Sequence, residues 1–156
     1  SIRLKRRLII KMKNELLRHT LLTIQHRFQI AVDQLDEDFK DFNAGNQSRT
    51  PLQLVQHIND LLEVKCHQLI DEQILEAPHR SEKFHLETKQ TLLLLKKLND
   101  RFLDEPINLD SQKKLIQGPI SDIFTHIGQI LVLRRLYGKP AKGGNYASTD
   151  INPKNF

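Results

Sequence analysis

The sequence predicts an all-α protein: a bundle of four helices followed by an irregular C-terminal tail. Three observations lead there. Apolar residues recur at Leu17, Leu21, Ile24, Phe28, Ala31 and Leu35, an alternating four-three spacing that a helix converts into one continuous stripe. Helix start and stop signals divide the remainder into segments of helical length. No stretch alternates apolar and polar residues as a half-buried strand does, and there is no internal repeat, low-complexity segment or glycine-rich phosphate loop.

The stripe predicts a long first helix that runs to about residue 42, where N-A-G-N-Q-S-R supplies loop chemistry over residues 43–49. Thr50-Pro51-Leu52-Gln53 is a helix start: a threonine N-cap, a proline whose missing N–H costs nothing at the first position, and a glutamine three residues after the cap. This second helix turns Leu54, Val55, Ile58, Leu61, Leu62, Cys66, Leu69 and Ile70 inward and is expected to end near residue 76. Ser81 is the expected cap of a third helix, which buries Leu92, Leu94, Leu95, Leu98 and Phe102 and stops at Asp104-Glu105-Pro106. The fourth either starts at Asp110 and kinks at Pro119, which cannot donate to the carbonyl of Leu115, or starts afresh at Gly118. One kinked helix is the preferred reading. Gly138 followed by Lys139-Pro140 ends it, and residues 139–156 form the tail.

At 156 residues and 18.2 kDa the chain is expected to be one domain that needs no staple. A single cysteine, Cys66, cannot form an internal disulfide, which fits a reducing compartment, so a cytoplasmic location is expected. The net charge is +5, and six of the 24 Lys and Arg lie in residues 1–14 without an acid, which leaves 18 basic against 19 acidic residues elsewhere. The basic segment reads as an extension of the first helix, as sequence ahead of a start at Met12, or as an arm for a membrane surface or nucleic acid; the first two are preferred. With a near-neutral body and no apolar run of the roughly 20 residues a span requires, neither a nucleic-acid nor a membrane partner is expected.

Asp122 and His126 stand one turn apart on the fourth helix, at the edge of an apolar arc made by Ile120, Ile123, Phe124, Ile127, Ile130 and Leu131. His57 flanks the apolar face of the second helix in the same way. Polar groups that point into a core need partners. Two readings stand on the residues alone. In one, Asp122 and His126 pair within their helix and His57 is a satisfied core-edge histidine. In the other, His57, Asp122 and His126 converge as a two-histidine, one-carboxylate ligand set for zinc, nickel, manganese or iron, with coordination positions left open as in catalytic sites. Cys66 lies about 13 Å further along the helix axis at 1.5 Å per residue, outside such a shell, and reads as core packing. His19, His26, His67, His79 and His85 have no ligand-like spacing.

T-P-L-Q-L-V-Q-H-I-N-D-L-L from Thr50 and S-D-I-F-T-H-I-G-Q-I-L-V-L-R-R-L-Y-G-K-P from Ser121 resemble the DinB/YfiT-like family over roughly residues 16–151, and the G-K-P, G-G-N-Y and D-I tail resembles one branch of it. The resemblance implies a four-helix bundle that holds a divalent ion through a second-helix histidine and an H-x-x-x-H pair of the fourth. His57 and His126 fall on two of these positions, and Asp122 replaces the remaining histidine. It also implies a metal-dependent enzyme, hydrolase or thiol-dependent transferase, acting on a small molecule, and leaves room for a homodimer. The alternative is a non-catalytic, stress-associated helical bundle with a degenerate site. Gln129, Asn145, Tyr146 and Asp150 are secondary candidates for the pocket lining.

Overall fold

The computed structural model describes residues 1–71, 80–152 and 154, and every regular element among them is helical. In chain order these are α1 (Ile2–Lys13), α2 (Glu15–Val32), a 3-10 turn (Glu37–Asp41), α3 (Pro51–Asp60), a π segment (Leu61–Lys65), α4 (Cys66–Asp71), α5 (Phe84–Asp104), α6 (Leu109–Leu115), a second π segment (Ile116–Ile120), α7 (Ser121–Leu136) and a 3-10 turn (Tyr146–Ser148). α2 and α3 each pack on both α5 and α7, around one core that includes Leu21, Ile24, Phe28, Ile58, Leu95, Phe102, Ile123 and Ile130. The apolar stripes expected from spacing are the ones that meet there.

The expected first helix is interrupted twice. At Asn14 the chain breaks between α1 and α2, and the Asn14 side chain is wholly buried. Its Nδ2 donates to the carbonyls of Phe102 (2.8 Å) and Glu105 (2.7 Å), and its Oδ1 accepts from the Ile107 amide (3.3 Å). One side chain thus satisfies backbone groups at the C-terminal end of α5 and beyond it. The second interruption corrects the expected end at residue 42: α2 ends at Val32, and Gln34 has φ +56°. Asp36 then caps the 3-10 turn by accepting from the Phe39 amide (3.0 Å). Arg134 donates to the carbonyls of Ile30 and Ala31, both at 3.0 Å, and so satisfies the end of α2 from another helix. The turn drives Phe39 into the core, edge-on to Phe84 and against Tyr137.

α3 starts where the sequence places it. Thr50 Oγ1 accepts from the Gln53 amide (3.3 Å) and Gln53 Oε1 accepts from the Thr50 amide (2.9 Å), a complete capping box with Pro51 at the first position. The expected end of this helical run near residue 76 lies outside the described residues. Ser81 does not cap the third helix. α5 begins at Phe84, and the Glu37 carboxylate accepts from the amides of Phe84 (2.9 Å) and His85 (2.8 Å), a cap delivered from 47 residues away. The fourth helix is continuous from α6 to α7 through the π segment, as preferred. Pro119 removes one donor there, and just after it Ser121 Oγ donates to the Ile116 carbonyl at 2.5 Å. Gly138, at φ +90°, ends α7 with the Lys139 amide donating to Arg134 (2.9 Å) and the Gly138 amide to Arg135 (3.1 Å).

Candidate functional site

The capping box fixes the rotation of α3, and with Leu54, Val55 and Ile58 turned into the core, His57 is left half-buried at its edge. The buried positions Ile120, at the end of the π segment, and Ile123, Ile127 and Ile130 of α7 define the inward arc. His126 falls just inside it and is 8% exposed. Asp122, a further 40° or so around the helix at about 100° per residue, falls just outside it and is exposed. The expectation that both would point into the core therefore holds for His126 and not for Asp122.

His57 and His126 face each other edge-on, with ring centroids 4.8 Å apart and planes at 72°. Gln129, one turn after His126, accepts at 2.8 Å through Oε1 from His126 Nδ1, which places a proton on Nδ1. His57 has no hydrogen-bond partner among the described residues. Burial first, then the charges of Arg49 and His126, push its pKa below the usual histidine range, against the weaker opposing charges of Asp60 and Asp122. His57 is thus held neutral at physiological pH, the state in which an imidazole can ligate a metal. Two imidazoles that share one zinc at about 2.0–2.1 Å have ring centres about 5 Å apart, close to the separation of this pair. Among the described residues no group of three or more His, Cys, Asp or Glu side chains is placed to hold a metal. Asp122 and His126 form no ion pair either.

The two helices that carry the imidazoles, with the loop before α3, also flank an open pocket of about 500 Å³, lined by Ser48, Arg49, Leu54, Thr125, Gly128, Gln129, Val132 and Leu133. Its volume is that of a small-molecule site, and its walls are mainly apolar with Arg49 and the Gln129 amide as polar features. Gln129 therefore lines the pocket as expected, while the tail residues do not. Tyr146 lies under the Arg27 guanidinium (3.7 Å) and edge-on to His26 on α2. Asn145 caps its own turn by accepting from Ala147, and Asp150 borders a different groove with Gln25 and Gln29.

Cys66 is fully buried, and burial pushes its thiol up to about 12, so it is inert packing. Sequence spacing did not reveal two polar features near the site. Asp60, one turn after His57, pairs with Arg80 through Oδ2, and its buried Oδ1 lacks a hydrogen-bond partner among the described residues. Asn59, Glu87 and Thr91 form a buried network: Asn59 Nδ2 donates to Glu87 Oε2 (2.8 Å), and Thr91 Oγ1 donates to Asn59 Oδ1 (2.6 Å). The Ser81 amide donates to Glu87 Oε1 at 2.6 Å. This network joins α3 to α5.

No family model matches the chain, and no solved structure matches it. Among curated proteins it is similar to the Holliday junction branch migration complex subunit RuvB of Mycoplasmopsis synoviae (strain 53), at 28% identity over 133 residues, 82% of this chain. The match spans 42% of that protein's length. What the structure itself defines is an all-helical protein in which two helices bring a pair of histidines to the border of an apolar pocket.

Proposed function

We propose that this chain is a DinB/YfiT-like four-helix bundle and a divalent-metal-dependent enzyme, with His57 and His126 as the imidazole ligands and Asp122 as the carboxylate of the set. The observation that supports it is the approach of His57 and His126, from α3 and α7, to a centroid distance of 4.8 Å. The hydrogen bond from His126 to Gln129 places a proton on Nδ1, so the neutral ring would ligate through Nε2. A bound zinc, nickel, manganese or iron ion would supply Lewis acidity toward a substrate group or a bound water or thiol. The chain's own contribution is to hold the apolar part of a small molecule on Leu54, Val132 and Leu133, with Arg49 offering a cation to an anionic group. Hydrolase and thiol-dependent transferase chemistry both fit this arrangement.

The rival reading, a non-catalytic helical bundle with a degenerate site, is favoured by the exposure of Asp122. A metal titration separates the two. Tag-free protein, stripped with chelator, is titrated with zinc, nickel and manganese while the melting temperature is followed; binding at 100 times Kd adds about 2.7 kcal/mol. The expected result is a rise in melting temperature that His57→Gln and His126→Gln each abolish. No rise with any of the three ions refutes the metal-dependent reading. The likeness to a branch migration complex subunit does not carry a nucleic-acid function here, because residues outside 1–14 have 18 basic against 19 acidic side chains.

A further inference from the structure

α1 is turned the wrong way out for a helix that only packs on its own protein. Among the described side chains of α1, Ile10 is the one buried against the body, and Arg3, Arg6, Arg7 and Asp104 lie beside it, with Arg7 and Asp104 paired at 3.9 Å. On the opposite side Leu4, Leu8 and Met12, spaced four apart, form an outward stripe at 69%, 59% and 67% exposure. Ile2 (88%) and Ile9 (54%) widen it, and Leu16 (82%) carries it onto α2. Lys5 stands within this outward face and Lys13 at its edge, and residues 1–14 contain six basic residues and no acid. A helix whose solvent-facing side is largely apolar and carries cations but no acid has the pattern of one that lies in the plane of a membrane surface.

We propose that α1 docks on an anionic lipid bilayer, its apolar stripe entering the headgroup boundary while the cations of this face, Lys5 and Lys13, meet lipid phosphates. This departs from the absence of a membrane partner expected from the sequence, where α1's orientation could not be read. Charge complementarity selects the occupant. A second copy would set one acid-free cationic helix against another, and a nucleic acid would need cations rather than leucines at the centre of the contact face. No described helix is long and apolar enough to cross a membrane, so the association is interfacial.

The test is co-sedimentation of the full 156-residue chain with vesicles of phosphatidylcholine alone or with one-third phosphatidylglycerol, at low and high salt. The expected result is binding at least about tenfold tighter to the anionic vesicles, weakened by salt. Lys5→Gln with Lys13→Gln should weaken it by about fivefold per cation removed. Leu8→Ser with Met12→Ser, both at exposed positions that leave the helical circular dichroism of the body unchanged, should abolish it. Equal binding to both vesicle types, or binding insensitive to the serine variant, overturns the proposal. So does retention of a duplex DNA without vesicle binding, or a dimer that the serine variant dissociates without vesicle binding.

Discussion

Replacing Asn14 by alanine should be among the most damaging single changes in this protein, although the position has no periodicity or motif to mark it. The amide makes three hydrogen bonds at a site with no solvent access, to the Phe102 and Glu105 carbonyls and from the Ile107 amide. Each contributes on the order of 1 kcal/mol net, and leaving buried backbone groups without partners costs about as much again for those that cannot relax to water. The loss is therefore roughly 3–5 kcal/mol, a large fraction of the ~5–15 kcal/mol stability of an ordinary domain. At about 2–4 °C per kcal/mol for a chain of this size, the melting temperature should fall by at least about 6 °C. Urea unfolding followed by circular dichroism reads the change as a lower midpoint with the slope preserved. A loss below about 1 kcal/mol would show that water reaches the joint between α1, α2 and the end of α5, and would refute its description as a buried polar lock.

Other perturbations have equally definite outcomes. Asp122→His, which places a third imidazole beside His57 and His126, should raise zinc or nickel affinity by at least about tenfold in a thermal-shift titration if the metal reading holds; unchanged affinity would show that position 122 does not reach the pair. His57 has a lowered pKa when folded and an ordinary one of about 6.5 when unfolded, so in chelator the unfolded chain holds the extra proton between those values. Stability should therefore fall as pH drops through that window and level off below it, and His57→Gln should flatten this part of the profile in urea titrations at stepped pH. Gly138→Ala meets no atom within 4 Å, so its cost is the left-handed backbone alone, about 1–2 kcal/mol by chemical denaturation. A larger loss would point to packing that the structure does not contain.

Local sequence determined the elements whose causes are local. The capping box at Thr50 and Gln53, the continuation of one helix through Pro119, and the glycine stop at Gly138 each act within a few residues, and each is found where spacing placed it, the π form of the segment at Pro119 being seen only in the structure. The inward stripes of α2, α3, α5 and α7 follow from 3.6-residue periodicity for the same reason. The ends of α2 and the start of α5 were not legible, because their partners are remote: Arg134 completes α2 and Glu37 caps α5. A helix terminus satisfied by a side chain from another element has no signature in its own neighbourhood.

The site divides along the same line. Periodicity alone put His57, Asp122 and His126 at the edges of apolar faces, and an edge is where a few tens of degrees decide between burial and solvent. Only the packing of α3 against α7 brought His57 onto His126, left Asp122 outside, and opened the pocket beside them. Only tertiary structure, likewise, showed that α1 turns its leucines outward, since a helix's periodicity states that it has two faces and its neighbours decide which one they cover.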